Sequence, residues 1–229
     1  MERINTITLN GTLPKVFLGS EKDEPIASSR VWLRELTLSR GINNHYMVEA
    51  ESGTGKSSLC AYIYGNRRDY HGKILFNGRD ISTFSIKDWC ALRRNHLAYL
   101  PQEMRLFPEL TALENILIKN RLTDCKTEAE IRRMLDELEI GHKADVAGGK
   151  LSVGQQQRVA IIRALCQPFD FILLDEPVSH LDTRNNTTVA KLILSEAKRN
   201  SAAIITTSVG NPLLLKDVSE DIVVESIKL

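Results

Sequence analysis

No stretch of the 229-residue sequence approaches the roughly 18–20 consecutive apolar residues needed to cross a bilayer. The first residues, Met1-Glu2-Arg3-Ile4-Asn5, carry no apolar core of the kind a secretory signal needs. Any work at a membrane would therefore need another chain as its anchor. Cysteine is scarce: Cys60, Cys90, Cys125 and Cys166 lie far apart and form no CxxC pair. That spacing excludes a zinc ribbon and a disulfide framework and reads as reduced thiols. The five histidines, His71 and His180 among them, do not cluster like metal ligands. Charge of either sign is not in excess, with 30 basic and 29 acidic residues giving a net charge of +1. A chain so balanced has no global electrostatic footprint for nucleic acid. Internal repeats, low-complexity tracts and sustained heptads are missing as well.

What is present is the composition of a soluble globular protein, 42% hydrophobic and 26% charged. The length suits one domain with a grafted subdomain. Ile4 to Leu9 alternates apolar and polar residues as a half-exposed strand does. The polar stretch from Gly19 to Ser29 reads as a long hairpin loop, and Val31 to Leu38 resumes strand composition. These segments predict a small antiparallel sheet. Tyr46 to Glu49 reads as a strand and Ser57 to Tyr64 as a helix. Lys73 to Phe76, Asn77-Gly78 and Arg79 to Ile81 read as strand, tight turn and strand. Leu97 to Leu100 is a short apolar run stopped by Pro101. Thr111-Ala112-Leu113-Glu114 and Thr127-Glu128-Ala129-Glu130 are capping boxes, each followed by apolar residues at helical spacing. Phe171 to Leu174 and Ala203 to Ile205 read as buried strands and Ile222 to Val224 as the last strand, with a helix over Thr187 to Lys198. Strands alternating with helices predict an α/β core.

The segment Ala50-Glu51-Ser52-Gly53-Thr54-Gly55-Lys56-Ser57 nearly matches the phosphate-binding pattern GxxxxGK[ST], with Ala50 in place of the first glycine. Small residues let the backbone wrap closely round phosphates with its N–H groups inward, and the following helix points its N-terminus at the anion. The cradle residues are Glu51, Ser52, Gly53, Thr54, Gly55, Lys56, Ser57 and Ser58. Lys56 would contact the β- and γ-phosphates of ATP, and the Ser57 hydroxyl would join the shell of Mg2+.

Phe171-Ile172-Leu173-Leu174-Asp175-Glu176 has the form of a Walker B strand, which delivers carboxylates beside such a loop. Asp175 would hold magnesium, and Glu176 would polarise the attacking water as general base. Leu151-Ser152-Val153-Gly154-Gln155-Gln156-Gln157-Arg158 resembles the LSGGQ signature of the ABC ATPase family, and Val159 to Leu165 resembles the helix after it. Tyr99-Leu100-Pro101-Gln102 resembles the Q-loop of that family, and Ser179-His180-Leu181-Asp182 its D-loop. The resemblance covers nearly the whole chain, with the motifs in the family's order.

The resemblance implies one ABC ATPase domain over residues 1–229: a P-loop NTPase (RecA-like) α/β core with an N-terminal antiparallel β subdomain and an inserted α-helical subdomain. The core would span 1–100 and 155–229 and the helical subdomain 101–154. It also implies two copies facing head to tail, each ATP lying between one copy's P-loop and the other's Ser152, Gly154 and Gln155. A helix start at Ser152 would offer a γ-phosphate donors and a positive dipole end. Gln102 would sense magnesium and water and link the site to a partner, and Asp182 would help join the halves. Adenine would stack on Phe17, with Trp32 as the competing aromatic.

Two further positions depart from the family pattern. Val153 replaces the first glycine of the signature pair. Ser208, in Ile204-Ile205-Thr206-Thr207-Ser208-Val209, stands where active members carry a histidine that contacts the γ-phosphate. Turnover should therefore be slower than in a complete site. The run from Leu106 to Ile116 resembles transporter-type ATPases, so a separate transmembrane permease and a second ATPase subunit, identical or related, are the implied partners. The implied location is cytoplasmic, peripheral to the inner face of the membrane. The alternatives are a non-transport ATP-gated clamp and a regulatory dimer that binds ATP with little hydrolysis. The stretch between the P-loop and the signature is too short for the long coiled coils of the chromosomal clamps.

Overall fold

The computed structural model describes residues 2–24, 26–49, 51 and 53–229. Ala50 and Ser52, two positions of the phosphate-binding pattern, lie outside the described residues.

Two sheets organise the chain. The first is antiparallel, in the order β2-β1-β4-β5: β1 (Thr6–Pro14), β2 (Glu35–Ser39), β4 (Tyr70–Phe76) and β5 (Arg79–Asp80). The second is parallel, in the order β6-β7-β8-β3-β9: β3 (Asn44–Glu49), β6 (Leu97–Leu100), β7 (Phe171–Asp175), β8 (Ala203–Ser208) and β9 (Val223–Lys228). Seven α-helices are described: α1 (Lys56–Ile63), α2 (Ile86–Asn95), α3 (Ala112–Asn120), α4 (Glu128–Glu137), α5 (Val153–Leu165), α6 (Thr183–Asn200) and α7 (Leu215–Val218).

The parallel sheet is covered on both faces, and its sequence shows it. All five residues of β7 are buried. Because side chains alternate along a strand, Phe171 and Leu173 join one apolar cluster while Ile172 and Leu174 join the other. The first cluster contains the antiparallel sheet, α1 and α2; the second contains the apolar faces of α3, α4, α5 and α6. A β-bulge interrupts the pairing of β1 with β4 between Asn10 and Leu13. There Gly72 lies so close to the Gly11 carbonyl that a Cβ would sit 2.3 Å from its oxygen, so no other residue fits without a shift.

Local chemistry sets several boundaries. Asn77 (φ 50°) and Gly78 (φ 79°) form the two-residue turn between β4 and β5. Both threonine capping boxes form, at the starts of α3 and α4. A third, Ser85 with Asp88, starts α2. The strand expected from Val31 begins only at Glu35. The Ser29 hydroxyl accepts from the Val31 and Trp32 amides, Leu33 turns to φ 60°, and this compact turn buries Trp32. β1 runs on to Pro14, beyond the expected end at Leu9, because β4 pairs with it to Tyr70.

Candidate functional site

The parallel strands β3, β7 and β8 end side by side, and three loops leave them at one edge of the sheet. Chemistry gathers there because the carboxyl ends of parallel strands open into a crevice.

The loop after β3 turns on Gly53 (φ 85°) and Gly55 (φ 104°). Gly55 is also the N-cap of α1, and a Cβ there would come 3.0 Å from the Trp32 ring and 3.5 Å from Phe17. Only glycine combines that angle with that proximity. The Thr54 hydroxyl donates to the Glu51 carbonyl at 2.8 Å. Lys56 is buried, and its Nζ donates to the same carbonyl at 2.7 Å. The ammonium is thus folded over the loop it would share with an anion. Burial pushes its pKa down, while the charges of Glu176 and Asp175 act in the opposite direction.

Asp175 ends β7 and is buried. The Thr207 hydroxyl on β8 donates to Asp175 Oδ1 at 2.7 Å and accepts from the Glu176 amide at 3.1 Å. Thr207 therefore fixes both acids at once. Glu176 itself sits at φ 50°, a left-handed angle costly for a side chain with a Cβ. Gln102, just past β6, reaches across the gap: its Nε2 donates to Glu176 Oε2 at 3.2 Å, and its Oε1 lies 3.5 Å from the Ser57 hydroxyl. Ser57, Gln102 and Glu176 thus bring oxygen atoms to one place, with Asp175 the residue before Glu176, and hydroxyl, amide and carboxylate oxygens are donors that suit Mg2+.

Ser208 ends β8 opposite Glu49 of β3. It is buried, its hydroxyl has no hydrogen-bond partner among the described residues, and it lines a cavity of about 380 Å3 with Glu49, Glu51, Val209, Gly210 and Pro212. Phe17 is half-buried and lines a second cavity, about 360 Å3, with Gly53 and Thr54. Trp32 also borders that cavity, but it is 1% exposed and its Nε1 donates to the Thr54 carbonyl at 3.2 Å, so it props the loop from beneath. Ser58 faces away, with its hydroxyl accepting from Arg67 at 2.8 Å.

Ser152, Gly154, Gln155 and Asp182 stand at two other helix starts. Ser152 caps α5, and Gln155 returns the contact by accepting from the Ser152 amide at 3.0 Å. The Gln155 side chain is thereby engaged in its own helix. Val153 is exposed beside it. Gly154 abuts the 179–182 loop, since a Cβ there would meet the His180 carbonyl at 3.3 Å. Asp182 caps α6 through the Asn185 amide at 2.8 Å.

Three residues join this arrangement without a signal strong enough to single them out in the sequence. Thr207 does so because strand register places it opposite Asp175. Gln157 is buried in α5 and donates to the Glu176 carbonyl at 3.2 Å and the Ser179 hydroxyl at 3.3 Å, while accepting from the His180 amide at 3.2 Å. Arg163 reaches the loop that follows Gln102. Its one visible clue was a cation inside the apolar run from Val159 to Leu165.

Residues 34–179 match the ABC transporter family. The ATP-binding protein LolD of the lipoprotein-releasing system of Xylella fastidiosa is 34% identical over 178 residues, 76% of this chain and 74% of that protein. The ABC transporter ATP-binding protein YtrE of Bacillus subtilis is 33% identical over the same shares. Among solved structures, the dimeric MJ0796 bacterial ABC transporter cassette superposes with a TM-score of 0.69 at 22% identity, covering 86% of each chain. A bacterial Atm1-family ABC exporter with ATP bound superposes with a TM-score of 0.72 at 21% identity, covering 99% of this chain and 38% of the exporter.

Proposed function

This chain belongs to the ABC transporter family, as an ATP-binding and ATP-hydrolysing subunit that drives transport, and on that premise we propose how its residues do the work. The triphosphate lies in the loop of Glu51, Ser52, Gly53, Thr54 and Gly55, with the N-terminus of α1 and the Ser57 and Ser58 amides turned to it. Lys56 exchanges the Glu51 carbonyl for the β- and γ-phosphates. The observation that carries this reading is the Ser57–Gln102–Glu176 chain of contacts, which joins loop, sensor and acid at one sheet edge. Glu176 accepts the proton of the attacking water, and the Gln102 amide orients its carboxylate. Ser57, Gln102 and Asp175 hold Mg2+, which when bound neutralises phosphate charge. Phe17 stacks on the adenine. Ser208 offers a hydroxyl where an imidazole would reach farther, and turnover is slow in consequence.

A second copy, or a related subunit, brings its Ser152 and Gly154 to the γ-phosphate, with Gln155 stiffening that helix start and Asp182 fixing the loop between the halves. Loss of the γ-phosphate removes the shared anchor and releases the pair. Residues 101–154 form the helical subdomain beside a core of 1–100 and 155–229. No helix among the described residues is long and apolar enough to cross a membrane, which fits a separate transmembrane permease as partner. The chain then works on the cytoplasmic side, peripheral to the inner face of the membrane.

One observation favours a regulatory reading, in which ATP binds and joins the dimer with little hydrolysis: among the described residues the buried Ser208 hydroxyl has no hydrogen-bond partner. Comparing phosphate release by the parent and by Glu176→Gln separates the two. Loss of the general base should lower the rate roughly 10²–10⁴-fold with nucleotide binding retained. Equal rates would mean that Glu176 is not the base and would leave the regulatory reading standing.

A further inference from the structure

We propose that Arg163 is the positioning residue for Gln102, and that through it the helix beginning at Ser152 is coupled to the general base. The inference rests on the function proposed above and concerns a residue to which that mechanism gives no role.

Gln102 sits in the second position of a turn that Met104 closes by donating its amide to the Pro101 carbonyl at 3.0 Å. The closing residue and the one after it are unusual: Met104 has φ 57° and Arg105 φ 52°. A left-handed angle is costly for a residue with a Cβ, and two in succession need support from outside the loop. Met104 packs against the apolar cluster, and the polar support comes from a guanidinium. Arg163 Nη2 donates to the Met104 carbonyl and Nη1 to the Arg105 carbonyl, the latter at 2.8 Å. Met104 thus closes the turn with its amide and is held to α5 by its carbonyl. Inside that turn, Gln102 is aimed at Glu176 and Ser57.

The chemistry of the clasp argues against a role in stability alone. Among the described residues no carboxylate pairs with Arg163, and its half-buried charge is offset by main-chain oxygens only. Burial and then the Arg163 charge lower the pKa of Lys119 on α3, so the surroundings add a like charge. A partly desolvated cation without a counter-ion is a poor way to fasten a helix to a loop, and an apolar side chain would do it at less cost. What an apolar side chain cannot do is hold two consecutive carbonyls in a fixed plane, which the planar fork of arginine does. Arg163 and Ser152 belong to one helix and are separated by about 16 Å of its axis, eleven residues at 1.5 Å each. A shift of α5 at its Ser152 end is therefore transmitted to the turn that aims Gln102.

A double-mutant cycle tests this on the full chain: the parent, Arg163→Gln, Gln102→Ala and both together, each measured for kcat, KM for ATP and thermal stability. Arg163→Gln should lower kcat about tenfold with KM within about threefold, because geometry and not binding is lost. In the Gln102→Ala background it should lower kcat no further, since the residue it positions is gone. Amide exchange over residues 103–106 should rise in Arg163→Gln. Arg163→Lys keeps the charge and loses the fork, so it should resemble Arg163→Gln in kcat. The same factor of loss in both backgrounds, no loss in the parent background, or full activity in Arg163→Lys would overturn the proposal. So would a failure of both Arg163 variants to fold, which would assign the residue to stability. If the parent releases no phosphate, it is the hydrolytic reading that fails. The exchange measurement then decides on its own whether Arg163 holds the turn.

Discussion

The Thr207 hydroxyl is the most exposed joint of the site to a single substitution. Thr207→Val removes one oxygen and leaves the shape nearly unchanged, so the β8 packing stays filled. Two partners are stranded. Asp175 Oδ1 loses a donor at 2.7 Å in a place where the carboxylate is 2% exposed, and the Glu176 amide loses its acceptor at 3.1 Å. A hydrogen bond to a buried charge contributes about 1.5–3 kcal/mol, and a stranded amide costs about 1 kcal/mol or more. Together the loss should be about 3 kcal/mol. In a chain of this length that corresponds to a fall of roughly 6–12 °C in Tm. Urea unfolding followed by tryptophan fluorescence should show the midpoint displaced with an unchanged slope. Thr207→Ser keeps the hydroxyl and drops one methyl, so it should recover all but about 1 kcal/mol of the loss. Because the same oxygen orients an acid assigned to Mg2+, Thr207→Val should also weaken activation by magnesium about tenfold. A stability loss below about 1 kcal/mol in Thr207→Val, or an equal loss in Thr207→Ser, would refute the assignment of both acids to this hydroxyl.

Ser208→His should raise kcat severalfold or more, read as phosphate release at saturating ATP, because the adjoining cavity of about 380 Å3 has room for an imidazole that could span to a γ-phosphate; unchanged turnover would show that the serine is not what slows the site. His45 on β3 is 1% exposed, with Nδ1 accepting from the Ile204 amide at 3.2 Å, and burial, aided by Lys198, lowers its pKa to about 4. Its folded pKa lies below the unfolded value of about 6.5, so the unfolded chain takes up the proton first. Its contribution is complete above about pH 6.5 and is lost as pH falls towards 4, by about 2 kcal/mol between pH 7 and pH 5. His45→Asn, which keeps an acceptor near Nδ1, should flatten the pH dependence of the urea midpoint by that amount, and an identical pH profile in parent and variant would contradict it.

Secondary structure was legible wherever its cause was local. Thr111 with Glu114 and Thr127 with Glu130 start helices through contacts three residues apart, and both did so where expected. Asn77-Gly78 makes its turn because those two residues tolerate left-handed angles. The strand expected at Val31 failed for a reason that lies outside its own window. Trp32 has strand propensity, but it is drawn under the Thr54 carbonyl by a hydrogen bond to a loop 22 residues away. Likewise Ser85 and Asp88 make a sound capping box, yet the helix behind it takes its stability from Trp89 packed on Phe84 and Phe76, which is tertiary.

For the site the division is sharper. Sequence alone determined which side chains exist at each loop: a lysine after glycine, two acids after an apolar strand, a glutamine after Pro101, and a serine before a helix. It did so because each motif is the chemistry of a few adjacent residues. Only the tertiary structure decided which of these loops meet. Parallel strand order sets β7 between β6 and β8, and that order alone brings Gln102 to Glu176 and Thr207 to Asp175. Arg163 finds Met104 and Arg105 across some 59 residues for the same reason. A side chain's reach is only a few ångströms, so its partner is fixed by how strands and helices stack, and no local window of sequence contains that information.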